Sequence, residues 1–110
     1  MFGKIFRRNQ FLKRLNTLLE LYSYSHNAQT TYQELLELEP LIRSEGERAL
    51  FDLNRASLLY DMRKFREAAD ILLDIPSLNP EFDARCAQMK TKIMDSIHVK
   101  TKTPERETKQ

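Results

Sequence analysis

One short spacing pattern occurs twice in this chain: an alanine, a large apolar residue four positions on, and a proline eight beyond that. Ala28, Tyr32 and Pro40 form the first copy, and Ala68, Leu72 and Pro80 form the second, forty residues later. A small residue lets two antiparallel helices approach closely, the large residue fills the space beside it, and proline disfavours a helical conformation just before itself. Upstream of each copy lies a matching run. Leu12, Leu15, Asn16 and Leu19 align with Leu53, Ala56, Ser57 and Tyr60. A repeat of this length is one helical hairpin that cannot bury its own apolar face, so the pattern predicts hairpins stacked in series.

With Phe65 three residues before Ala68, these positions resemble the tetratricopeptide repeat family over residues 11–80. The period of forty exceeds the family's usual value of about 34, and the extra residues fall in the Leu41 to Gly46 connection. The resemblance implies an all-α fold of antiparallel helix-turn-helix repeats, about five helices forming a short right-handed solenoid. The expected parts are repeats over about 11–40 and 50–80 and a capping helix over 80–98. The resemblance also implies a concave groove lined by the first helix of each repeat. Lys13, Arg14 and Thr17 from the first copy and Asn54, Arg55 and Leu58 from the second are the candidate ligand-binding residues. Lys13, Arg14 and Arg55 would make that face basic, which suits an acidic or carboxylate-terminated segment of a protein partner. An adaptor or chaperone is the function implied. Two repeats fall short of the three normally needed for stability, which leaves a cap, a partner or a second copy of the chain to cover the open end.

Apolar periodicity places the helices independently of any resemblance. Leu12, Leu15, Leu19 and Tyr22 share one face of a helix from Phe11 to about Tyr22, widened by Leu18 and Leu21. Residues 23–27 break it, and a second helix from about Asn27 to Glu39 turns Ala28, Tyr32, Leu35 and Leu36 inward before Pro40. From Glu47 to Met62, Leu53, Ala56 and Tyr60 line one face while Phe51, Leu58 and Met62 line another. A helix apolar on two faces is sandwiched between neighbours. A fourth helix, Lys64 to Asp74, points Ala68, Ile71, Leu72 and Ile75 inward and closes before Pro76. Asn79, Pro80 and Glu81 read as a cap, a first-turn proline and a dipole-matched acid, starting a last helix that runs to about Val99. Phe82, Cys86, Met89, Ile93 and Ile97 form its stripe. Residues 100–110 contain no apolar residue to bury and are expected to be disordered. With two glycines and few β-branched residues in alternation, no strand is expected.

Charge is unevenly spread. The first fourteen residues carry five basic side chains and no acidic one, residues 15–84 thirteen acidic and six basic, and residues 85–110 seven basic and three acidic. A net-acidic body between basic ends argues against a broad nucleic-acid face. The arm over residues 1–10, with Phe2, Ile5 and Phe6 beside Lys4, Arg7 and Arg8, offers a second reading: a peripheral protein weakly held at an anionic membrane. The chain lacks a signal-peptide core and any run near the ~20 apolar residues that span a bilayer. Its one cysteine, Cys86, cannot pair within the chain, which fits a reducing cytoplasm. His26 and His98 have no second ligand at metal spacing, Cys86 lies on an apolar stripe, and the pairs Glu37 and Glu39 or Glu45 and Glu47 have no apolar pocket. No cofactor, metal site or enzymatic function is therefore expected.

Overall fold

A computed structural model describes the backbone of residues 2–109 and the side chains of residues 10–97. It contains α1 (Phe2–Ser25), α2 (Ala28–Leu36), a 3-10 turn (Glu39–Leu41), α3 (Glu45–Asp61), α4 (Phe65–Leu73) and α5 (Pro80–Lys109). No strand occurs among the described residues.

The boundaries follow from local hydrogen bonding. Asn27 starts α2, its side chain accepting from the Thr30 N–H at 3.1 Å. Ser44 accepts from the Glu47 N–H at 3.1 Å, and the Glu47 carboxylate accepts from the Arg43 N–H at 2.8 Å. This reciprocal cap starts α3 two residues earlier than apolar spacing alone places it. Asn79 accepts from the Phe82 N–H at 2.9 Å, as its position before Pro80 predicts. The Asp83 carboxylate accepts from the Ser77 hydroxyl and from the Leu78 N–H, tying the α4–α5 loop to the first turn of α5. These bonds, the Ser77 one foremost, hold the Asp83 carboxyl below its usual range.

The end of α3 is equally defined. Arg63 has a φ of 65°, its N–H donates to the Tyr60 carbonyl at 2.9 Å, and the Lys64 N–H donates to the Leu59 carbonyl at 2.8 Å. This pair of bonds over a left-handed residue is a Schellman corner, in which glycine would be unstrained. His26 holds a similar left-handed conformation after α1, with φ at 55°.

Two buried clusters make the core, and α3 contributes to both, as its two apolar faces predict. Phe51 and Leu58 pack with Phe11, Leu15, Leu18, Leu35 and Leu38 from α1, α2 and the residues after α2. Ala49, Leu53, Ala56 and Leu59 pack with Ala68 and Leu72 of α4 and with Phe82, Cys86 and Ile93 of α5. Ala49, Ala56 and Ala68 are completely buried, which marks the close approach of α3 and α4. The two repeat copies are not equivalent here, because Ala28 is only half-buried.

Two expectations about the inward faces are corrected. In α1 the buried stripe is Phe11, Leu15 and Leu18, while Leu12 and Leu21 are 38% and 58% exposed. The reason is Phe11, whose ring stacks obliquely on Phe51 with centroids 6.4 Å apart and turns the helix toward itself. In α2, Leu35 is buried as expected, but Leu36 is 38% exposed, and Thr31 and Leu38 are buried beside Leu35. The arm over residues 1–10 is continuous with α1, and α5 runs on to Lys109 through the segment expected to be disordered. Extending a helix already nucleated costs far less than starting one.

Truncating Phe51 to Ala should destabilise the fold by about 3–5 kcal/mol in urea unfolding, whereas Leu12→Ala should change it by less than about 1 kcal/mol. Replacing Arg63 by Gly should stabilise by about 0.5–1 kcal/mol, because it relieves the left-handed strain. A loss of stability in Arg63→Gly would refute that account of the corner.

Candidate functional site

Between its two core faces, α3 presents the half-buried Leu50, Asn54 and Ser57 at helical spacing, with the buried Leu53 beside them. They meet Leu15, Asn16 and Leu19 from α1 and Arg85, Gln88, Met89 and Lys92 from α5 around a groove of about 410 Å³. Alternate helices of the chain thus supply its three walls. Its base is apolar, and its rim carries amides, a hydroxyl and two cations, Arg85 and Lys92. No carboxylate is among the lining residues. The Asn54 amide donates to the Leu50 carbonyl at 2.9 Å, which lays its side chain along the helix. An apolar base under a cationic, hydrogen-bonding rim is suited to holding a chain segment.

A second groove, of about 600 Å³, runs between α1 and α2. Leu18, Leu21 and Leu38 form its base, with Gln10, Lys13, Arg14 and Thr17 on one side and Glu34 and Glu37 on the other.

The six residues expected to share one groove are separated. Lys13, Arg14 and Thr17 line the α1–α2 groove, where the Thr17 hydroxyl donates back to the Lys13 carbonyl at 3.2 Å. Asn54 lines the α1–α3–α5 groove. Arg55 lies half-buried with its guanidinium carbon 5.7 Å from the centre of the Phe51 ring, and its Nε is buried without a hydrogen-bond partner among the described residues. Leu58 is a core residue, 2% exposed, because the face taken for the groove wall is the second packing face of a sandwiched helix. Asn16, Ser57, Arg85 and Lys92 escaped the sequence reading. Asn16 and Ser57 occupy the same repeat position, and a polar residue recurring inside an apolar stripe is a signal that could have found them.

Electrostatics elsewhere serve the scaffold. Arg48 pairs with Glu39 at 2.9 Å and sits 5.5 Å from the Phe51 ring centre, so two guanidiniums cover that ring. Burial raises the Asp52 carboxyl, opposed by Arg55 and Arg48. Burial also pushes the Cys86 thiol up, the opposite of what a thiolate nucleophile needs. Among the described residues, no three His, Cys, Asp or Glu side chains gather to hold a metal ion, and no helix is long and apolar enough to cross a membrane. The side chains of Phe2, Ile5 and Phe6, on which the membrane reading rests, lie outside the described residues, as does that of His98.

The Tyr22 hydroxyl donates to Asp61 at 2.6 Å, joining α1 to the end of α3. Burial first, then this bond to a carboxylate, pushes the Tyr22 pKa from 10.0 to about 12. The neutral phenol is the form the fold prefers, so its contribution is complete below pH 10.0 and is lost as pH rises through about 12. In ultraviolet titration of the native protein one tyrosine should ionise near pH 12, and Asp61→Ala should bring that step part of the way back toward 10.0. A step that does not move in Asp61→Ala would show that the bond does not hold the proton.

No family model matches the chain, and neither a curated protein nor a solved structure matches it.

Proposed function

We propose that this chain is a tetratricopeptide-like interaction module, an adaptor or chaperone whose α1–α3–α5 groove takes an acidic or carboxylate-terminated peptide of a partner protein. In this reading α1–α2 and α3–α4 are the two repeats of a short right-handed solenoid, and α5 caps them. The groove then lies where the first helices of successive repeats come side by side. The repeat spacing of Ala28 to Pro40 and Ala68 to Pro80 supports it, as does the alternation of helices around the groove. The observation that carries the choice of ligand is the rim, with Arg85 and Lys92 beside Asn16, Ser57 and Gln88 and no carboxylate. Charge-assisted hydrogen bonds to carboxylates are roughly twice as strong as neutral ones, so such a rim selects acidic ligands over neutral or basic ones. The free, buried thiol of Cys86 suits a reducing compartment, the cytoplasm in this reading.

The test is fluorescence anisotropy against peptides with acidic C-termini, using the intact chain. Reversing both Arg85 and Lys92 to Glu should weaken binding by at least about tenfold, with helicity by circular dichroism unchanged, since like charges facing each other cost several kcal/mol. Arg14→Glu, in the other groove, should leave peptide binding intact. Binding that survives the double reversal would discard the α1–α3–α5 groove as the site.

A further inference from the structure

The α1–α2 groove takes no part in the proposed peptide site, and its walls follow a different plan. Its base is formed by the edges of Leu18 and Leu38, which are otherwise buried in the core, and by Leu21, which is 58% exposed. Its α1 side is basic, with Lys13 and Arg14, and its α2 side is acidic, with Glu34 and Glu37. The two helices fold back on each other across His26 and Asn27, so the oppositely charged walls run along the same apolar strip.

An apolar strip with one basic and one acidic flank is complementary to itself. We propose that the α1–α2 groove is the contact face of a symmetric homodimer. A two-fold axis running along the groove sets α1 of one protomer over α2 of its partner. The Lys13 and Arg14 side of each protomer then meets a Glu34 and Glu37 side, twice by symmetry, while the two leucine strips close on each other. An axis across the groove would instead lay α1 on α1 and α2 on α2, setting like charges against like. Apolar burial supplies the affinity, and the charges select this one orientation.

The same charges argue for a second copy over a foreign partner. A uniformly acidic helix would be repelled by Glu34 and Glu37, and a uniformly basic one by Lys13 and Arg14. A fitting occupant carries both signs on opposite flanks of an apolar strip at matching spacing, and this chain carries that arrangement itself. The α1–α3–α5 groove is a separate surface, so the dimer does not depend on the peptide reading.

Sedimentation equilibrium of the intact chain over a dilution series reads the result directly. The mass should approach about twice the 13.1 kDa of one chain at high concentration and fall to that value on dilution. Arg14→Glu alone and Glu37→Arg alone should each weaken association by about tenfold or more, and Leu21→Glu should abolish it. The combined variant Arg14→Glu with Glu37→Arg should restore association, an outcome that a misfolded protein cannot give. A wild-type chain that stays monomeric throughout overturns the proposal, including one whose groove proves to hold a different protein. So does a dimer indifferent to the single reversals and to Leu21→Glu, or one that the charge swap fails to restore.

Discussion

Phe51 and Leu58 point into one buried cluster and Ala49, Leu53, Ala56 and Leu59 into the other, all from the seventeen residues of α3. A helix surrounded in this way has little surface left to tune. Its alanines set how closely α4 approaches, and its phenylalanine sets the rotation of α1 through Phe11. What remains is divided: Leu50, Asn54 and Ser57 become one wall of the groove, while Arg48 and Arg55 lie over the Phe51 ring. Neither cluster could be completed without α3, because each of its neighbours offers the core a narrower apolar face. Tyr32 and Leu50 reach the margins of both clusters, so the two are joined as well as adjacent.

Much of this architecture is legible in the residues themselves. The two apolar faces of α3, the inward set of α4 and the stripe of α5 all follow from spacing, since side chains three and four apart must share a face. The α1 stripe was harder. Leucines at 12, 15, 18, 19 and 21 surround most of a helix, and periodicity cannot choose among them. The choice is made at a distance by the Phe11–Phe51 contact, which no local pattern encodes. The membership of the groove was not legible. An exposed polar position on a first helix looks the same in sequence whether it faces α2 or α5, so Lys13, Arg14 and Thr17 were grouped with Asn54 although they line another surface. Arg85 and Lys92 lie on a helix expected to act as a cap, and its part in the groove wall becomes visible once α5 packs beside α3.

The two grooves differ in electrical character. The α1–α3–α5 surface offers cations and hydrogen-bonding groups over an apolar base and lacks negative charge. The α1–α2 surface is balanced, with its signs sorted to opposite sides. A small fold thus presents two grooves of different charge although most of its apolar residues are committed to the core. The free thiol, the raised tyrosine and the stacked arginines fall outside this division, and each is accounted for by packing or by the ties between helices.

The Schellman corner at Arg63 fixes where this chain can change length. Only Met62, Arg63 and Lys64 separate α3 from α4, and each residue of a helix advances its side chain by about 100° around the axis. One residue added there would swing Ala68 and Leu72 out of phase with Ala56, and the close approach of the two helices would be lost. The longer connection lies in the open stretch after α2, where a 3-10 turn and the Ser44 cap precede α3. The stretch between α2 and α3 is thus the open connection, and the corner at Arg63 the one that fixes how α4 packs on α3.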